Sequence, residues 1–265
     1  DELCLGPLRG ARGASQEQMS AQEVATAFIG HYYNLCDANV DGLAPLYQDG
    51  SLATVEGEQH QGPANIVAKL KSLGQVTHVQ QSLDVQPSLS PSAISIFATG
   101  AITINGTQQY HFAQYFQLVA TGPGAYYLQN DMLRICYPKD TQLTPDTNEI
   151  AGAFMNHYYT TYDTNPDGLA GLYLPNASLH FEGQQFDGPA AIVEKHKVVG
   201  QVTHQIQTLE LQQQSIGGNA ACIFVTGRLS IGGDNPLQFA QFFQLVGDAN
   251  GDYALLNDMF RLIYA

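Results

Sequence analysis

Few groups in this chain could move a proton. The imidazole of His204 with the carboxylate of Asp258, or the adjacent phenols of Tyr158 and Tyr159, could act as an acid–base pair if a pocket gathered them. His31, His78, His157 and His204 form two recurring pairs, which points to structural hydrogen bonds more than to catalysis. Nucleophile motifs, metal-ligand spacings and Gly-rich phosphate loops are not found beside them. A different chemistry is suggested by two carboxylates, Glu56 and Glu182. Each precedes a glycine, in "VEGEQHQGPANIVAKL" (Val55–Leu70) and "FEGQQFDGPAAIVEKH" (Phe181–His196). On so acidic a chain such groups are ordinarily solvated surface.

The elements that would position these groups come in two sets. Phe28 corresponds to Phe154, Tyr32-Tyr33 to Tyr158-Tyr159, Glu56-Gly57 to Glu182-Gly183 and Gly62-Pro63 to Gly188-Pro189, at a constant offset. "GQVTH" recurs intact at 74–78 and 200–204. One residue is then gained near "PSLSPSA" and "QSIGGNA", and "NDM" recurs at 130–132 and 257–259. Self-similarity on this scale means two copies of one domain, not a solenoid of small units.

Each copy opens with an amphipathic helix, "EVATAFIGHYYNLCD" and "EIAGAFMNHYYTTYD". A short second helix is expected around "DGLAPLY" and "DGLAGLY". A short strand ending in Glu-Gly comes next, and a third helix starts at Pro63 and Pro189, where a missing N–H costs nothing. Four long alternating segments complete the copy. The expected fold is α+β: three helices on a curved antiparallel sheet, a cone with a pocket at one end. One sheet face is left without a helix and needs another partner. Residues 1–20 read as a tail, 21–138 as the first domain, 139–147 as a polar linker and 148–265 as the second domain. Fully extended, the linker would span roughly 30 Å, enough for the copies to pack sheet against sheet.

The formal net charge of −14 makes nucleic acid and anionic membrane poor direct partners and a basic protein surface a better one. Cys4, Cys36, Cys136 and Cys222 form no C-x-x-C pair and no repeat-matched set, so they read as reduced, mostly buried thiols of an intracellular protein. No secretory signal or membrane-spanning run is read.

"FxGHYY/FMNHYY", "FEGQQFDGPAAIVEKH", "FAQFFQLV" and "NDMFRL" resemble the nuclear transport factor 2 family over nearly the whole of each copy, the second more closely. The resemblance implies a non-enzymatic carrier of Ran-GDP. It also implies an apolar pocket for an aromatic side chain of Ran, rim acids that pair with Ran lysines, FxFG nucleoporin binding, and residence in cytoplasm, nucleus and nuclear pore. No cofactor or metal is implied. Since the family dimerises through its sheets, one chain with two copies implies an intramolecular pseudo-dimer whose halves are free to diverge.

Carried over residue by residue, the family's rim Glu matches Glu182 and Glu56, and the Trp before it becomes Phe181 and Val55. Other pocket positions match Leu237, Met259, Phe260 and His196 in the second copy, and Tyr110, Met132, Leu133 and Leu70 in the first. Of the hairpin acids, Asp234 stands in for one and Gly232 replaces the other; "TINGT" of the first copy has none. The nucleoporin-site Trp falls at Ala21 and Thr147, in a chain without Trp. The reading is therefore binding, with the second copy the likelier carrier site. A scaffold or adaptor without Ran binding is the alternative, and a small-molecule isomerase or dehydratase in the cone pocket comes after it.

Overall fold

A computed structural model describes residues 3–4, 19–137, 149–214, 219–248 and 251–263. The expected linker, 139–147, and most of the expected tail lie outside the described residues. The chain divides into two compact units, residues 1–110 with 114–133, and residues 111–113 with 134–265.

The first copy contains β1 (Leu3–Cys4), α1 (Ala21–Ala38), β2 (Tyr47–Val55), β3 (Glu58–Gln61), α2 (Pro63–Ser72), β4 (Val76–Pro87), β5 (Ala93–Ile104), β6 (Gln108–Gly122) and β7 (Ala125–Cys136). The second contains α3 (Glu149–Thr164), β8 (Tyr173–Phe181), β9 (Gln184–Asp187), α4 (Pro189–Val199), β10 (Val202–Gln214), β11 (Ala220–Ile231), β12 (Leu237–Gly247) and β13 (Tyr253–Ile263). The sheet orders are β3-β2-β7-β6-β5-β4, with β1 also on β7, and β10-β11-β12-β13-β8-β9.

Local chemistry explains where the helices begin. Ser20 caps α1 in a capping box with Glu23: its Oγ accepts from the Glu23 N–H at 3.3 Å, and its own N–H donates to Glu23 Oε2 at 2.8 Å. Val24, Phe28, Ile29, Tyr32, Tyr33 and Cys36 then line the buried stripe. Pro63 and Pro189 occupy the first turns of α2 and α4, each after a glycine with φ near +80°. The expected second helix is a 3-10 helix in both copies, Val40–Leu46 and Pro166–Leu172. Its tightness follows from contact with the preceding helix: a Cβ on Gly42 would stand 2.8 Å from the Leu35 side chain.

The sheets are not wholly antiparallel. β2 runs parallel to β7, and β8 parallel to β13. Hairpin-linked strands must alternate in direction, but β2 and β8 meet the last strand without a hairpin, so the constraint does not reach them.

Both copies carry a bulge at the same place. The register slips by one residue between Gln80 and Ser82 and between Ile206 and Thr208, opposite Gly100 and Gly227. A Cβ on Gly227 would stand 2.5 Å from the Gln205 carbonyl oxygen and 2.9 Å from the Phe239 ring. Gly227→Ala is expected to cost about 1–3 kcal/mol, because the obstruction is backbone on one side and a buried ring on the other. Urea denaturation would read it, with Gly171→Ala, which meets nothing within 4 Å, as the neutral comparison.

Strand alternation sorts the second copy's apolar residues onto two faces. The helix-facing core holds Tyr158, Tyr162, Leu179, Phe181, Ile192, Ile223, Phe239, Phe243 and Phe260. Phe224, Phe242 and Met259 are paired in register across β11, β12 and β13 on the other face, and each is at most 1% exposed. Among the described residues Cys36, Cys136 and Cys222 are buried and form no disulfide.

Candidate binding site at the β8 turn

β8 ends at Phe181, and Glu182-Gly183 turns the chain into β9. Glu182 adopts φ +51° and Gly183 φ +79°. A glutamate in this left-handed conformation is held there by its bonds. Its N–H donates to the Phe260 carbonyl at 3.1 Å, and its Oε1 accepts from the Leu262 N–H at 2.6 Å. The carboxylate is thereby aimed and half-buried instead of free to wander.

Beside it lies a pile of rings. Phe181 and Phe260 are register partners on the parallel β8/β13 pair, with centroids 4.6 Å apart and planes 8° apart. Phe239 continues the pile at 5.5 Å from Phe260. Leu237 lies two residues beyond Phe239 on the same face of β12 and is 39% exposed. Lys195 of α4 places its Nζ 4.6 Å from the Phe181 ring centroid and 5.4 Å from that of Phe186, within cation–π range of both.

Of the eight proposed binding residues, the structure brings Phe181, Glu182 and Phe260 together, with Leu237 at the end of the ring row. Met259 adjoins Phe260 in β13 and so points to the opposite face; it does not join the ring pile. Asp234 is exposed in the turn after β11, its N–H donating to the Ile231 carbonyl at 3.0 Å. In the first copy Glu56 repeats the turn, with φ +53° and an N–H bond to the Leu133 carbonyl at 3.1 Å. Its floor is aliphatic: Val55 and Leu133 pair in register, both buried. Met132 points away from them, as Met259 does. A cavity of about 10 Å³, lined by Cys36, Leu70, His78 and Leu133 among others, remains where the second copy puts Tyr162, His196, His204 and Phe260. It holds one water at most.

Lys195 is the contributor that the sequence reading missed. Its counterpart Lys69 forms an ion pair with Glu58 at 2.8 Å. The second copy has Gln184 in place of Glu58, so no carboxylate draws Lys195 off the rings. The signal was present as a repeated lysine with an unrepeated partner.

The candidate acid–base groups are sealed and differently paired. His204 Nδ1 bonds Asp163 Oδ1 at 2.6 Å, and His78 pairs with Asp37 in the same way at 2.7 Å. Burial, opposed by Asp37, holds the His78 imidazole below its ordinary range. These two histidines are structural, whereas His31 and His157 are exposed. Asp258 Oδ2 accepts from the Tyr173 hydroxyl at 2.7 Å and the Tyr158 hydroxyl at 3.2 Å, and Oδ1 accepts from Gln241 Nε2 at 2.7 Å. Burial raises this carboxyl to about 6 in spite of the three donors. The Tyr159 hydroxyl donates to Gln241 Oε1 at 3.0 Å. Tyr158 and Asp258 have no exposed surface. Asp131 repeats the cluster with Tyr32, Tyr47 and Gln114. Among the described residues no group of three His, Cys, Asp or Glu could hold a metal ion, and no helix is long and apolar enough to cross a membrane.

The Nuclear transport factor 2 (NTF2) domain matches residues 24–135 and again 150–262, most of the chain. The chain belongs to the nuclear transport factor 2 domain family. It carries the family's domain twice, in tandem. It is 44% identical over 122 residues to nuclear transport factor 2 of Oryza sativa, covering 45% of this chain and 98% of that one. Nuclear transport factor 2B of Arabidopsis thaliana is 41% identical over 123 residues, with 45% and 98% covered. A solved structure of nuclear transport factor 2 from Cryptosporidium parvum is 37% identical over 46% of this chain and 98% of that one, with a TM-score of 0.41. Each of these relatives is matched over nearly its full length by less than half of this chain.

Proposed function

We propose that this chain is a non-enzymatic carrier of Ran-GDP between cytoplasm and nucleus, and that the second copy bears the binding site. The observation that carries the reading is Glu182, a carboxylate fixed by the Leu262 N–H beside the Phe181/Phe260 rings. An oriented acid on the rim of an aromatic floor suits a partner that presents an aromatic side chain with lysines around it. The first copy keeps the acid but floors it with Val55 and Leu133, which offer far less contact area. Asp234 adds one hairpin acid in the second copy, Glu56 and Met132 are the first copy's remaining counterparts, and nucleoporin FxFG binding is weakened by the lack of Trp.

Titration against Ran loaded with GDP or a GTP analogue tests this. Binding is expected to be GDP-selective, to involve one Ran per chain and to weaken at high salt. Glu182→Lys is expected to weaken it by about 30-fold or more, corresponding to roughly 2 kcal/mol. Glu56→Lys, made at the aliphatic copy, should leave it within about twofold. No binding to either form at low salt overturns the carrier reading and leaves a family scaffold or adaptor.

A further inference from the structure

Beside the rings, a group of corresponding positions carries different chemistry in the two copies. In the first copy they hold Glu58, His60 and Lys69. Lys69 pairs with the Glu58 carboxylate at 2.8 Å, and His60 Nε2 stands 3.7 Å from the same group. The charge of this lysine is thus neutralised within the copy. In the second copy the positions hold Gln184, Phe186 and Lys195. The lysine is kept, the carboxylate is lost, and a ring replaces the imidazole.

Gln184 and Phe186 alternate with Gln185 in β9 and so share a face. Lys195 Nζ lies 4.6 Å from the Phe181 ring centroid and 5.4 Å from that of Phe186. Ring faces attract the charge, but they do not supply the acceptors that the ammonium's N–H donors can use. Among the described lysines, Lys69, Lys71 and Lys197 each pair with a carboxylate, and Lys195 pairs with none. It is half-buried, on a chain whose formal net charge is −14. A cation left unpaired at the ring surface of so acidic a chain is placed for an acid from outside.

We infer that Lys195 is a specificity-determining residue of the second copy's site, pairing through its ammonium with a carboxylate that the partner carries next to the aromatic side chain docked at Phe181. The inference rests on the carrier reading for that docked side chain. Glu182 then faces a base and Lys195 an acid, so the partner's surface must present both signs in a fixed order. Such an order rejects a surface that is merely basic. The first copy has no lysine to spare for the second contact, because Lys69 is already paired.

Titration of the full chain against Ran-GDP tests this. Lys195→Met keeps an unbranched apolar stem over the rings and removes the charge. It is expected to weaken binding about tenfold at low salt and no more than about twofold at high salt. Lys195→Arg, which keeps the charge, should restore affinity to within about threefold. Gln184→Glu leaves Lys195 in place and gives it the carboxylate that Lys69 has, so it should weaken binding about as much as Lys195→Met. A loss in Lys195→Met that is equal at high salt, or that arginine does not restore, would mean that the side chain only props the rings, and overturns the inference. So does unchanged binding in Lys195→Met or Gln184→Glu while Glu182→Lys still weakens it, an outcome that leaves the carrier reading intact. If the chain binds no Ran, that reading falls alone, and the dipeptides acetyl-Phe-Glu-amide and acetyl-Phe-Gln-amide decide this one. The glutamate form is expected to shift the Lys195 side-chain resonances at an about fivefold lower concentration. Equal responses to the two dipeptides overturn the inference.

Discussion

Phe260→Ala is expected to cost the second copy about 3–5 kcal/mol of stability, the largest effect of any single change considered. The ring is 2% exposed, so truncation both loses transfer free energy and leaves a cavity. It also breaks two ring contacts, at 4.6 Å to Phe181 and 5.5 Å to Phe239, worth about 0.5–1.5 kcal/mol beyond the area buried. Leu133→Ala at the equivalent place in the first copy removes a smaller side chain with no ring neighbour on Val55, and should cost less, about 2–4 kcal/mol. Urea denaturation with amide exchange resolved by copy measures both, since a chain of two units need not unfold in one step. Equal losses in the two copies would show that the ring pile adds nothing to packing. Ran-GDP binding should fall with Phe260→Ala and survive Leu133→Ala, which ties the stability measurement to the proposed site.

Two buried groups in the second copy should give opposite pH dependences that nearly cancel. Asp258 is raised by burial from 3.8 to about 6. The folded state therefore binds a proton that the unfolded state releases between about pH 4 and 6. Stability from this group is present at low pH and lost as pH rises through about 6. His196 is fully buried and lowered to about 3, first by desolvation and then by the charges of His204 and Lys195. The unfolded chain protonates this imidazole below about 6.5 while the folded one does not, so stability from His196 is lost as pH falls. Between pH 7 and 5, Asp258 alone adds on the order of 1 kcal/mol and His196 alone removes about 2 kcal/mol. His196→Leu, which installs the first copy's Leu70, should expose the gain on acidification; Asp258→Asn should expose the loss. The two variants should diverge by about 3 kcal/mol over those two pH units. The contribution of Asp131, whose carboxyl is also raised by burial, is common to both chains and drops out of the comparison. Parallel pH profiles for the two variants would mean that neither group is shifted as its burial requires.

Much of the architecture was legible before any coordinates. A repeat longer than a hundred residues can only be two copies of a domain, and local chemistry marks their parts: Ser20 with Glu23 opens α1, Gly62-Pro63 and Gly188-Pro189 open α2 and α4, and Glu-Gly marks the turn after β2 and β8. These signals survive in one dimension because each depends on neighbours within a few residues. Strand direction does not. The parallel pairings of β2 with β7 and β8 with β13 join residues about eighty positions apart, and no local pattern records them.

The same division runs through the site. Sequence alone determined that Glu182 follows an aromatic residue where Glu56 follows valine, and that the hairpin of the first copy has no acid. Only the tertiary structure decided that Phe260 stacks on Phe181 while the adjoining Met259 faces the other way, because alternation assigns faces only once the register with β8 is known. It also decided that Lys195 lies over the rings, an outcome of three segments meeting: the lysine from α4, Phe181 from β8, and Gln184 from β9 where the first copy has the pairing Glu58. His204 and Asp258 looked like a possible acid–base pair, but burial gave each a different partner. A side chain's chemistry is written in its type; its partner and its exposure are set by whatever the fold packs against it.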